Sequence, residues 1–138
     1  TSAVPNAGNP WDGLFAWVAD SDWLKPSDDT LWDGINGTNN PCPTGFRLPT
    51  EAEWITEVGS WSASGAIGSP LKLPDAGVRD VSDNSTNRGG IGLYWSSTEV
   101  PNTENSKVLA IQYDSFGATV FYLDLNRGNG ASVRCIRD

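Results

Sequence analysis

Five aspartates crowd one loop-rich stretch of the chain: Asp20, Asp22, Asp28, Asp29 and Asp33. Carboxylate oxygens are hard ligands, so this stretch is the place to look for calcium, a candidate cofactor. The spacing is not that of an EF-hand loop. A second set of acids, Glu51, Glu53, Glu57, Glu99 and Glu104, offers pairs for general acid and base work on a glycosidic bond. Nothing in the sequence drives the pKa of one of them away from that of another, and Glu51 and Glu53 have a structural use as helix caps. The chain has no histidine. Ser-His and Cys-His nucleophiles, and the commonest zinc ligand, are therefore excluded. The two cysteines, Cys42 and Cys135, lie too far apart for a CxxC motif. From the residues alone they are either a staple or two buried thiols.

Other side chains are suited to holding a ligand. The stretch between Trp95 and Asn126 mixes Tyr, Asn, Ser and Asp: Ser97, Thr98, Glu99, Asn102, Glu104, Asn105, Tyr113, Ser115, Phe116, Tyr122, Asp124 and Asn126. Tyrosine gives rigid contact area and the short polar residues give adaptable hydrogen bonds. Seven tryptophans are present. Trp54, Trp61 and Trp95 fall within strongly patterned segments and are expected in the core. Trp11, Trp17, Trp23 and Trp32 could stack on sugar rings or cover a sheet.

These residues need elements to position them. The length, 138 residues, corresponds to one domain. Residues 1–10 read as a connector from an upstream stalk or domain, and residues 11–138 as the domain itself. The chain opens on Thr1, which suggests a segment of a longer product. Leu14 to Val18 could form a short strand. Residues 45–49 read as a short extended piece. Thr50 is a good N-cap, and Glu53 completes a capping box. Trp54, Ile55, Val58 and Trp61 then share a face at helical spacing. The segment SPLKLP reads as a short or edge strand because of its prolines. YWSS, VLAIQY, ATVFYL and ASVRCI alternate as strands do, with turns expected at residues 114–117 and 127–130. The sum is an α+β domain with one main helix, a twisted antiparallel sheet and long loops.

Four phrases occur in a fixed order: LWDGINGTNNPCPTGFRLPTEAEW, SPLKLPDAGVRD, GLYWSSTE and NGASVRCIRD. Together they resemble the Fibrobacter succinogenes major paralogous domain family, over residues 22–138. That family resembles the C-type lectin fold in its broad sense, which implies that the first and last strands meet and that long loops gather on one side. It also implies a disulfide between Cys42 and Cys135. The RLPTEAEW phrase is similar to one in formylglycine-generating enzymes, but their catalytic cysteine pair near the C-terminus has no counterpart here.

The formal net charge of −8 argues against nucleic acid and anionic membrane surfaces as partners. No apolar run approaches a membrane span, so no membrane insertion is expected. The expectation is a non-enzymatic recognition domain of a bacterial extracellular or surface protein. It would be the tip of an adhesin or fibre that binds a surface glycan or protein, in the form of a homotrimer if the fibre is trimeric. The ligand-binding candidates are Ser97, Glu99, Asn102, Asn105, Tyr113, Ser115, Phe116, Tyr122, Asp124 and Asn126. The rival expectations are an enzyme, of formylglycine-generating or glycan-hydrolysing type, and a purely structural assembly module.

Overall fold

Alternating apolar residues in the second half of the chain form its dominant element, an antiparallel sheet. In the computed structural model the described residues are 22, 26–61, 65–82, 86–87, 89–115 and 117–138. In chain order they form β1 (Phe46–Arg47), α1 (Glu51–Gly59), α2 (Gly65–Gly68), β2 (Val78–Arg79), β3 (Thr86–Asn87), β4 (Ile91–Glu99), β5 (Asn105–Asp114), β6 (Gly117–Asn126) and β7 (Ile136–Arg137). The main sheet has the order β4-β5-β6, and two short antiparallel pairs, β1-β7 and β2-β3, stand beside it. The connector at residues 1–10, the strand expected around residues 14–18, and Trp11, Trp17 and Trp23 lie outside the described residues.

The expectation of an α+β, C-type-lectin-like domain is corrected here. The described residues are mostly antiparallel sheet, and helix is confined to two short segments of nine and four residues. The physical reason is local. Only residues 50–59 combine a cap with apolar positions at helical spacing, and Gly65–Gly68 amounts to a single turn. The one real helix starts where its cap dictates. The Thr50 hydroxyl accepts from the Glu53 amide, and the Glu53 carboxylate accepts from the Thr50 amide. It stops at Gly59, with Ser60 donating back to the carbonyls of Glu57 and Val58. Trp54 is buried but Ile55 is 51% exposed, so Ile55 does not belong to the core-facing stripe.

The SPLKLP segment is not a strand either. Its carbonyls are taken by side chains instead of a ladder. The Tyr94 hydroxyl donates to Pro74 O at 2.5 Å, the Tyr113 hydroxyl to Leu73 O, and the Arg134 guanidinium to Leu71 O and Lys72 O. Gly92 permits this approach. A Cβ at that position would lie 2.6 Å from Pro74 O, a separation that backbone must move to relieve.

Strand register divides the core in two. On one face Tyr94 opposes Leu109, and Leu109 opposes Tyr122. Trp54, Ala66, Leu73, Tyr94, Leu109 and Ile111 pack there under α1 and α2. On the other face Trp95 opposes Val108, and Leu93 opposes Ala110. Leu48, Leu93, Trp95, Val108 and Ala110 pack there with Trp32 and Cys42 beneath the loop of residues 28–48. The expected turns at residues 114–117 and 127–130 are both present.

Cys42 and Cys135 are joined in a disulfide across 93 residues. Beside it β1 pairs with β7, Phe46 opposite Arg137 and Arg47 opposite Ile136. Arg47 ties this corner to the helix: its guanidinium donates to both Glu53 oxygens at 2.7 and 2.8 Å and to Asp138 at 2.7 Å. The guanidinium is the main reason why Glu53 ionises at about 2, with the Thr50 amide and hydroxyl adding to it.

Two expected outcomes follow from this frame. Replacing Cys42 and Cys135 together with serine removes a long loop constraint, and chain-entropy reasoning sets the loss at roughly 4–5 kcal/mol at most. Denaturant unfolding of the double variant measures it. Glu53 contributes stability in full above its unfolded pKa of about 4.3 and loses it as pH falls towards about 2. Glu53→Gln keeps the capping geometry and should flatten the fall of stability with acid in that window, as read from unfolding curves collected between those pH values.

Candidate functional site

The main sheet opens into a cavity at the end of its Trp95 face. The cavity measures about 280 Å³ and its walls come from Asp22 and residues 28–39, from the end of β4 with Ser106 of β5 beside it, and from the turn after β6. The sequence builds each wall for a separate reason.

The first wall is the loop that precedes β1. Asp28 accepts from both the amide and the hydroxyl of Thr30 at 2.9 and 2.7 Å, and these bonds, the hydroxyl first, hold its carboxyl below the usual range. The Asn39 amide donates to Leu31 O at 2.9 Å. Asn40 then secures the end of the loop, its side chain donating to Phe46 O at 2.9 Å and accepting from the Cys42 amide at 3.0 Å. Trp32 is thereby presented half-buried, edge-on to Trp95 with ring centroids 6.4 Å apart.

The second wall is a break in β4. Trp95 opposes Val108, but Glu99 opposes Ser106, so four steps on one strand match two on the other. The extra residues leave the ladder and are caught elsewhere. The Ser97 amide donates to Pro49 O at 2.8 Å, the Ser96 hydroxyl to Lys107 O at 2.9 Å, and Thr98 accepts from the Glu51 amide at 2.9 Å. Such irregularities re-aim side chains, and here Ser97 and Glu99 line the cavity.

The third wall is Arg127, where β6 ends. Its Nη1 meets Asp29 at 2.6 Å, its Nη2 donates to Thr103 O at 2.8 Å, and its Nε lies 3.3 Å from Asp22. One guanidinium thus joins the acidic loop to the β4–β5 turn. The Arg127 and Asp22 side chains are only 15% and 9% exposed.

Four carboxylates, Asp22, Asp28, Asp29 and Glu99, line the cavity together with this single guanidinium. Glu99 feels the excess. Its carboxyl is raised by partial desolvation, then by a hydrogen bond to Asp29 and by the charges of Asp29 and Asp33, with Arg127 opposing. Among the described residues no group of three or more His, Cys, Asp or Glu is placed to hold a metal. Asp20 lies outside the described residues.

The ligand-binding candidates read from the sequence are divided by the pleat. Ser97 and Glu99 line the cavity. Tyr113, Tyr122 and Asp124 belong to the opposite face, the one under the helices. Tyr113 is part of that core, Tyr122 is 37% exposed, and Asp124 pairs with Lys107 at 2.6 Å. Asn105 and Asn126 serve the backbone. The Asn105 carbonyl accepts from Val100, and the Asn126 side chain accepts from Gly128. Asn102 and Ser115 are exposed in turns, and Phe116 lies outside the described residues. The sequence candidates did not include Arg127, Asn39, Asn129 or Ser106. From the sequence, Trp32 is a candidate for stacking, and Asp28 and Asp29 are candidates only for calcium.

The chain matches no protein-family model, no curated protein and no solved structure. The chemistry of the cavity is therefore its own guide.

Arg127→Ala should destabilise the domain by about 3 kcal/mol, the magnitude of breaking a buried ion pair from one side. Adding Asp22→Asn should recover part of the loss. Urea unfolding of both single variants and the double variant measures the coupling.

Proposed function

We propose that this domain is a recognition module, displayed outside the cell, that binds a glycan in the cavity between Trp32, Glu99 and Arg127. The observation that carries this reading is the pairing of a half-buried aromatic wall with a ring of short polar side chains in one concave site. A pyranose needs both. Its C–H face packs on an aromatic ring, and its hydroxyls need donors and acceptors around the rim. Asn39, Ser97, Ser106 and Asn129 supply groups of both kinds, and the carboxylates accept.

Placement outside the cell is supported by the disulfide, since such bonds persist in oxidising compartments. Among the described residues no helix is long and apolar enough to cross a membrane. The resemblance to the Fibrobacter succinogenes major paralogous domain family agrees with a role for the cavity. Three of the four phrases that carry it contribute lining residues: Leu31, Trp32 and Asn39 from the first, Trp95, Ser96, Ser97 and Glu99 from the third, and Asn129 from the last. On a bacterial adhesin or fibre, display in several copies would turn weak single-site binding into useful avidity.

A glycan array probed with the intact domain tests the proposal. Wild type should bind a defined set of oligosaccharides. Trp32→Ala should weaken that binding about tenfold, the upper range for an aromatic contact, and Trp32→Phe, which keeps a ring in the core, should retain most of it. An empty array with a folded domain, or glycan turnover that Glu99→Gln abolishes, would overturn the binding reading.

A further inference from the structure

We propose that the sugar taken by this cavity carries a free amino group, a cationic hexosamine unit whose ammonium sits between Trp32 and the carboxylates of Asp28 and Glu99. This rests on the glycan reading above and names the class of sugar.

The argument begins with charge. Asp22, Asp28, Asp29 and Glu99 face a cavity that holds one guanidinium. Arg127 is already committed, to Asp22, to Asp29 and to the Thr103 carbonyl. Among the described residues the hydrogen bonds to Asp28 come from the neutral donors of Thr30, and Arg127 reaches it through its charge alone. Glu99 and Asp29 line the same cavity, and the charge of Asp29 is among the causes that raise the Glu99 carboxyl. Among the described residues the wall therefore holds more carboxylates than guanidinium groups, on a protein that is itself at −8. An anionic sugar would be repelled, and a neutral one would leave the excess in place.

An ammonium group answers this arrangement. It is compact, carries three donors and no acceptor, and is attracted to the face of a tryptophan. Trp32 is half-buried in the same wall. Size agrees as well. A water occupies about 30 Å³ of liquid, so the cavity of about 280 Å³ holds on the order of nine waters, a volume comparable with one sugar ring. A lysine side chain would bring the same charge. Its stem, however, offers nothing to Asn39, Ser97, Ser106 and Asn129, whereas the ring hydroxyls of a hexosamine do.

Calorimetric titration of the intact domain decides the matter, with four probes at low salt: a glucosamine tetramer, its N-acetylated counterpart, a glucose tetramer and a lysine-rich peptide. The glucosamine tetramer should bind best. N-acetylation, which removes the charge and keeps the ring, should weaken binding at least about tenfold if cation–π and carboxylate contacts both go. Glu99→Gln and Asp28→Asn, both changes at exposed side chains, should each weaken the glucosamine complex by up to about fivefold and the glucose tetramer by clearly less. Added salt should narrow the difference between charged and acetylated probes. Equal binding of the free and acetylated tetramers overturns the amino-sugar inference and leaves the glycan reading standing. Binding of the lysine peptide with none of the three oligosaccharides overturns both. No binding of any probe by a domain that still binds other glycans on the array overturns the amino-sugar inference alone.

Discussion

Strand β5 has to be buried on both faces, and the rest of the structure is arranged to do it. Val108, Leu109, Ala110 and Ile111 are four consecutive residues with at most 1% of their surface exposed. In a pleated strand neighbouring side chains point to opposite faces. Four buried residues in a row therefore require two separate coverings. Helix α1 and the 71–74 segment cover the Leu109 and Ile111 side, and the disulfide-bonded loop covers the Val108 and Ala110 side. The first covering is ordinary helix-on-sheet packing. The second has almost no regular structure, so it relies on other constraints: the Cys42–Cys135 bond, the short β1-β7 pair, and the side-chain bonds of Asn40.

The cavity is a consequence of that second covering. A loop laid across a sheet meets it fully only where the strand stays regular. Beyond Trp95, β4 leaves its register with β5, and the loop and the strand diverge. Arg127 spans the gap and holds its two sides together through Asp22, Asp29 and Thr103. The same guanidinium that completes the fold thereby fixes the width of the site. The fold and the shape of the cavity are coupled at one residue, which is why charge in this region has to be considered as a set.

Parts of this were legible in the sequence because they are local. Thr50 and Glu53 announce a helix start through a bond between neighbours, and the turns at 114–117 and 127–130 announce themselves through glycine and short polar residues. The strand pattern of VLAIQY and ATVFYL also survives in the structure. The site was less legible, for two reasons. A strand's period of two scatters a contiguous set of candidates over both faces, which is how Tyr113, Tyr122 and Asp124 came to lie away from Ser97 and Glu99. Arg127 presented only as a turn residue, because its partners Asp29 and Asp22 are about a hundred positions away. SPLKLP failed as a strand for a related reason. Its carbonyls are claimed by Tyr94, Tyr113 and Arg134, all distant in sequence. Overall class was misjudged as α+β because one well-capped helix weighed more in the pattern than its nine residues weigh in the fold.

If the cavity binds a ligand as proposed, charge decides which ligands it would discriminate. A protein at −8 repels anions at long range, but salt screens that field within about 8 Å at physiological ionic strength. Discrimination at close range has to come from groups inside the cavity. Asp22 and Asp29 are largely spent on Arg127, so they set the frame more than the selection. Asp28 and Glu99 differ from them: both line the cavity and neither is paired with a guanidinium by any bond described above. Acidic glycans such as uronic acids would meet these two carboxylates directly and lose their own hydration without gaining a cation in return. Neutral sugars would have to rely on stacking and hydrogen bonds alone. On the proposed reading, the excess of carboxylate over guanidinium among the described residues would act first as a filter against anions, and selectivity for cations would be the other side of the same imbalance.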